Sequence, residues 1–251
     1  MNPKPRELFT SRERLPWRNA VTIAIGMRCV DGVVIAADRQ ITKEGGLKYQ
    51  EDKILDGGTV VGNPTLNFAL AYCGSPDLAK NLLERIGEVL LNGCGGIAFL
   101  PSAAEAGIRK ILTPKETKGL ETLIIIGGPK VLPFMLRTRE TRIVSAQMEC
   151  IGVGDSSVIR YLVDLADIRT PISLERCRIL CAYMISVANR YIDGCGFGPD
   201  LAFIDVRIGE VQRPEKEEID SYATEFADLE RALRNTIGIL WGRLRKLNRG
   251  E

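Results

Sequence analysis

Three residues near the start of the chain carry groups that together could cleave an amide: a hydroxyl at Thr22, a carboxylate at Asp38 and an amine at Lys53. Thr22 opens an apolar run, Asp38 closes the next one, and Lys53 stands directly before the apolar Ile54. The chain contains 0 histidines. Ser-His-Asp and Cys-His arrangements and the HExxH zinc helix are therefore excluded, and a Thr, Ser or Cys nucleophile must be activated by a lysine, a carboxylate or an N-terminal amine. A free α-amine titrates near ~8, close enough to neutrality to act as a general base. A lysine ammonium beside the hydroxyl would stabilise the alkoxide, and a buried aspartate would hold that lysine. Thr22, Lys53 and Asp38 can fill these roles provided that the chain begins at Thr22.

The elements that would position these groups follow from pattern. Val21–Cys29 and Gly32–Asp38 read as two strands joined at Val30-Asp31-Gly32, where Asp-Gly is a strong hairpin signal. The second strand is apolar almost throughout, as expected when both faces are covered. After a polar segment from Thr42 to Asp52, strands are expected at 54–62 and 66–74, then a helix capped by Ser75 with Pro76 at its first position and Gly93 at its end. A second helix is expected over Ser102–Leu112. Residues 119–128, 131–138 and 145–152 read as three strands, and helices follow over Ser156–Asp167 and after the cap Ser173. A late strand at Asp200–Val206 and a long helix over Ile219–Leu247 complete the order. Strands, paired helices, strands and paired helices suit an α+β fold, a four-layer αββα sandwich with two antiparallel sheets between helix layers.

Composition narrows the class. A chain of 251 residues buries roughly three quarters of its unfolded surface. The net charge is +2, and the basic run at Arg243–Arg249 suits a helix end facing solvent better than a nucleic-acid surface. The 7 cysteines (Cys29, Cys73, Cys94, Cys150, Cys177, Cys181, Cys195) show no CxxC spacing, which argues against a metal site and for reduced thiols in a cytoplasmic protein. No apolar run reaches the ~20 residues of a membrane span, and the first 17 residues lack a signal-peptide core. Residues 1–21, rich in Pro, Arg and Glu, read as an extension or propeptide, followed by a single domain over 22–251.

The stretch from Thr22 to Lys53 resembles the start of a proteasome β-type subunit of the N-terminal-nucleophile hydrolase superfamily. In that family a catalytic threonine opens the first strand, an aspartate closes the second within a DGVVLAADxRxT-like motif, and a lysine precedes an isoleucine. Here DGVVIAADRQIT spans Asp31–Thr42 and Lys53-Ile54 follows, with the Thr-to-Asp spacing of the family and the lysine one residue short. Weaker likeness runs over roughly residues 20–210, through AYCGSPDLAK, GVGDSS and DGCGFGPDLAFI. The resemblance implies that Gly74 donates an oxyanion N–H and that Thr42 offers backbone groups to an extended peptide. Asp193 and Cys195 are the positions for support of the mature amine.

Two departures accompany it: Val21 stands where precursors carry glycine, and Val153 where the family has a serine. The implied function is a self-processing threonine peptidase matured by cleavage before Thr22 and acting on peptides or unfolded proteins, with no cofactor or metal. A ring-forming homo-oligomer served by an ATPase or cap partner is implied as well, with no nucleic acid or membrane partner. Val21 suits an alternative, an unprocessed structural or gating ring subunit, and a non-peptidase amidase of the superfamily is the third reading.

Overall fold

The computed structural model describes residues 22–42, 47–62, 64–93, 101–152, 172–222 and 224–226, together with 230, 231 and 235. Twelve strands and several helices occur among the described residues. The strands are β1 (Ile23–Arg28), β2 (Gly32–Asp38), β3 (Gln40–Thr42), β4 (Lys48–Gln50), β5 (Ile54–Val60), β6 (Leu66–Cys73), β7 (Glu121–Gly128), β8 (Val131–Arg139), β9 (Arg142–Ala146), β10 (Met148–Gly152), β11 (Pro199–Asp205) and β12 (Val211–Gln212). The helices are α1 (Pro76–Gly93), α2 (Pro101–Ile111), α3 (Pro114–Thr117) and α4 (Leu174–Tyr191), and residues 216–222 are also helical.

All strand pairs are antiparallel. One sheet has the order β10-β1-β2-β11-β12, a second the order β5-β6-β7-β8-β9, and β3-β4 form a separate hairpin. Because side chains alternate across a strand, each central strand serves two cores. In β2, Val34 and Ala36 join Cys177, Cys181 and Ile185 of α4, while Val33, Ile35 and Ala37 face Ala69, Ala71, Leu123 and Ile125 of the other sheet. In β6 the same division sends Phe68, Leu70 and Tyr72 toward Leu82 and Ile86 of α1, and Ala69, Ala71 and Cys73 toward the first sheet. Each fully buried Ile, Leu or Val side chain contributes about 1.5–3 kcal/mol, so these doubly covered strands form the rigid frame of the molecule.

The sequence expectation differs from this architecture at several points. The polar segment after Thr42 is not a plain loop, since Lys48–Gln50 pairs back onto Gln40–Thr42. The single strand expected over 145–152 is two: β9 pairs with β8 in one sheet, whereas β10 pairs with β1 in the other. The chain changes sheet at Gln147, whose carbonyl accepts the Arg28 N–H at 2.7 Å, and a change of pairing partner leaves no mark on hydrophobic alternation. The short elements α3 and β12 add to the expected set. The extension 1–21, Val153, Cys94 and the helix expected at 156–167 lie outside the described residues, as does most of the terminal helix beyond residue 226.

No helix among the described residues is long and apolar enough to cross a membrane. Among the described residues Cys29, Cys73, Cys177, Cys181 and Cys195 are free thiols.

A candidate active site at one end of both sheets

The three candidate groups arrive at one place because of register. Ala24 pairs with Ala37, so Ile23 stands opposite Asp38 and Thr22 lies just beyond, at the end of the β1-β2 pair where β2 stops. In the second sheet Ile54 pairs with Ala71, which sets Lys53 at the same end of the molecule. The Lys53 carbonyl is held by the Tyr72 N–H at 3.1 Å. Gly152, at the end of β10 opposite Ile23, lies between Thr22 and Cys73: a Cβ placed on it would come within 2.1 Å of the Thr22 carbonyl oxygen and 2.7 Å of the Cys73 sulfur. Only glycine fits there, also because its φ is +76°.

Lys53 donates to Thr22 Oγ1 at 2.9 Å and to both oxygens of Asp38, at 2.9 Å and 3.0 Å. Three ammonium protons thus meet three acceptors. Asp38 also accepts the Ile23 N–H at 3.0 Å on Oδ1 and the Gln40 N–H at 3.1 Å on Oδ2. Thr22 is 2% exposed, and Asp38 and Lys53 are 0% exposed. Burial pushes the Asp38 carboxyl above its ordinary value, opposed by the Lys53 ammonium and by the two backbone N–H groups.

Magnitudes indicate why a sequence would keep this arrangement. Removing an ion from water costs several kcal/mol even after relaxation, and a buried pair replaced by apolar groups of similar volume is often about 1–4 kcal/mol more stable. The Lys53–Asp38 pair is therefore a poor device for stability alone. What it achieves is a fixed ammonium aimed at a hydroxyl in a site closed to water, where such a charge has its largest influence on an oxyanion.

The remaining predicted positions divide. Gly74 directly follows β6 with φ +124°, and a Cβ there would meet the Gly119 carbonyl oxygen at 2.4 Å. Thr42 ends β3, half-buried, with its hydroxyl 3.5 Å from Gln40 Nε2. Cys195 is buried and feels both members of the ion pair: burial and then the Asp38 carboxylate push its thiol up to about 12, against the pull of Lys53. It is a neutral thiol at ordinary pH and no rival nucleophile.

Asp193 does not join the group. Its side chain is fully exposed and its one described partner is Lys48, at 3.4 Å on the β3-β4 hairpin. The sequence reading overlooked the Gln40 N–H, although an aspartate followed two residues later by a main-chain donor is a recurrent local motif.

No protein-family model matches this chain, and neither does any curated protein sequence. Among solved structures, a Gly-1 mutant of Anbu from Hyphomicrobium sp. strain MC1 is similar over 85% of this chain and 96% of that one, with TM-score 0.62 and 16% identity. At that identity the likeness concerns the fold alone.

Proposed function

We propose that the chain is the precursor of a threonine peptidase that becomes active when cleavage before Thr22 frees its α-amine. The observation that carries this reading is the buried, fully satisfied chain of hydrogen bonds from Asp38 through Lys53 to the Thr22 hydroxyl. In the uncleaved chain the Thr22 nitrogen is a peptide nitrogen and cannot accept a proton. After cleavage the free amine takes the hydroxyl proton as Thr22 Oγ1 attacks a peptide carbonyl carbon. The Lys53 ammonium stabilises the developing negative charge on the nucleophile's side, and the Gly74 N–H receives the carbonyl oxygen as it becomes an oxyanion.

Collapse of that intermediate breaks the C–N bond, and the departing amine takes its proton from the Thr22 ammonium. Water then hydrolyses the threonine ester, assisted by the same amine. The extended substrate lies along the Thr42 backbone as an added strand. The three cores described above support the finer architecture too: helix, sheet, sheet and helix stacked in four layers. Ring assembly of like subunits acting on peptide or unfolded-protein substrates, served by an ATPase or cap, completes the reading.

An unprocessed structural or gating subunit of the same fold is the second reading. It is favoured by Asp193, which faces solvent and leaves the mature amine without its expected support.

Hydrolysis of short fluorogenic peptides by the matured protein tests the first reading. Thr22→Ala is expected to lower turnover on the order of 10³-fold or more while circular dichroism and the number of subunits in the assembly stay unchanged. Full activity in that variant contradicts the assignment of the nucleophile.

A further inference from the structure

Strand β5 is an edge of its sheet, with β6 on one side only. The Lys53 carbonyl points inward to Tyr72, so by strand alternation the next carbonyl, that of Ile54, points off the edge. It is not left unpaired, because the Arg213 guanidinium donates to it at 2.5 Å. The other terminal nitrogen of the same guanidinium lies 3.2 Å and 3.3 Å from the two oxygens of Asp200.

Asp200 belongs to β11, where it pairs with Ala37, and its neighbour Pro199 pairs with Asp38. Asp200 is 9% exposed and Ile54 is 1% exposed, so both ends of this bridge are anchored in the interior even though the Arg213 side chain is 34% exposed. One planar cation therefore ties the strand beside Asp38 to the residue immediately after Lys53, across the gap between the two sheets.

We propose that Arg213 is a positioning residue for Lys53: its bridge from Asp200 to the Ile54 carbonyl sets how far the Lys53 strand stands from the Asp38 strand, and so keeps the ammonium within hydrogen-bond reach of Thr22. The two arms of the fork have fixed geometry, which a lysine cannot reproduce. The polar partners of Arg213 are Asp200 and the Ile54 carbonyl, and none of the three site residues is among them. Its effect on the reaction passes through the Ile54 backbone, and displacement of a reacting group by ~1 Å is enough to lower a rate ~100-fold. The kinetic part of the proposal rests on the hydrolase reading above, whereas the geometric part does not.

Two measurements on the full chain and its matured form test it. Crystal structures of the wild type and of Arg213→Met are expected to show Lys53 Nζ to Thr22 Oγ1 lengthening beyond about 3.5 Å in the variant, the outer limit of a hydrogen bond. Peptide hydrolysis by Arg213→Met is expected to fall ~10- to 100-fold in kcat with KM within about two-fold of wild type. Arg213→Lys, which keeps the charge toward Asp200 without the fork, is expected to fall between the two, and it serves as the test variant if Arg213→Met does not fold.

An unmoved ammonium in the variant structure, or a change confined to KM, overturns the proposal. A wild type that hydrolyses no peptide removes the hydrolase reading, and the two structures still decide whether Arg213 positions Lys53.

Discussion

Lys53 has three protons and three acceptors for them, all inside the protein, and this makes the effect of single changes there predictable. Asp38→Asn leaves a buried ammonium without its counter-ion, and such a loss costs about 3–5 kcal/mol. For a chain of this length that corresponds to a thermal midpoint lower by about 6–20 °C. Adding Lys53→Met to Asp38→Asn removes the stranded charge, so the double variant is expected to be more stable than Asp38→Asn alone; denaturant titration of the two variants measures the difference. A double variant no more stable than the single one would indicate that the ammonium is not held by Asp38.

Cys195 offers a pH test at the same scale. Its thiol is pushed up to about 12, so alkylation of the native protein at pH ~8 is expected to run on the order of 10³-fold slower at this position than at a free cysteine, rising as pH approaches that value. Mass mapping of alkylated peptides reads this directly, and rapid native labelling of Cys195 contradicts its placement beside the ion pair.

At the scale of elements, Gly74 shows how closely the chain packs just beyond a strand end. Its φ is +124°, and a Cβ added there would stand 2.4 Å from the Gly119 carbonyl oxygen. Gly74→Ala is therefore expected to be destabilising by about 1–3 kcal/mol from backbone strain, with more from displaced backbone. Equilibrium unfolding of the variant checks it, and wild-type stability would contradict the geometry.

Elements with strong local signals were legible from sequence: the Asp-Gly hairpin between β1 and β2, the Ser75-Pro76 start of α1, and the Ser173 cap, whose hydroxyl accepts from the Arg176 N–H. The β3-β4 hairpin was not legible, because each strand has three residues with one apolar side chain, Ile41 or Tyr49, too few to establish an alternation. The division of 142–152 between β9 and β10 was not legible either, since it depends on which strand lies alongside rather than on the residues themselves. In the site, the Thr22-Asp38-Lys53 set stood out by residue type and spacing. The Arg213-Asp200 bridge lay hidden because 13 positions separate two charges that are ordinary in isolation. The exposed placement of Asp193 beside Lys48 was not legible for a related reason, as nothing in its neighbours marks which way a loop carboxylate points.

Across the whole molecule, the proposed peptidase reading makes covalent state decide chemistry. The fold brings the hydroxyl, the ammonium and the carboxylate together in the uncut chain, and what the uncut chain lacks is the free amine. The central claim is therefore that residues 1–21 are removed. The intact mass of the purified protein, taken under conditions that allow assembly, tests this most directly. Loss of residues 1–21 with Thr22 as the new N-terminus is the predicted result, together with retention of the full-length chain in Thr22→Ala. A wild-type chain that persists at full length under those conditions contradicts it.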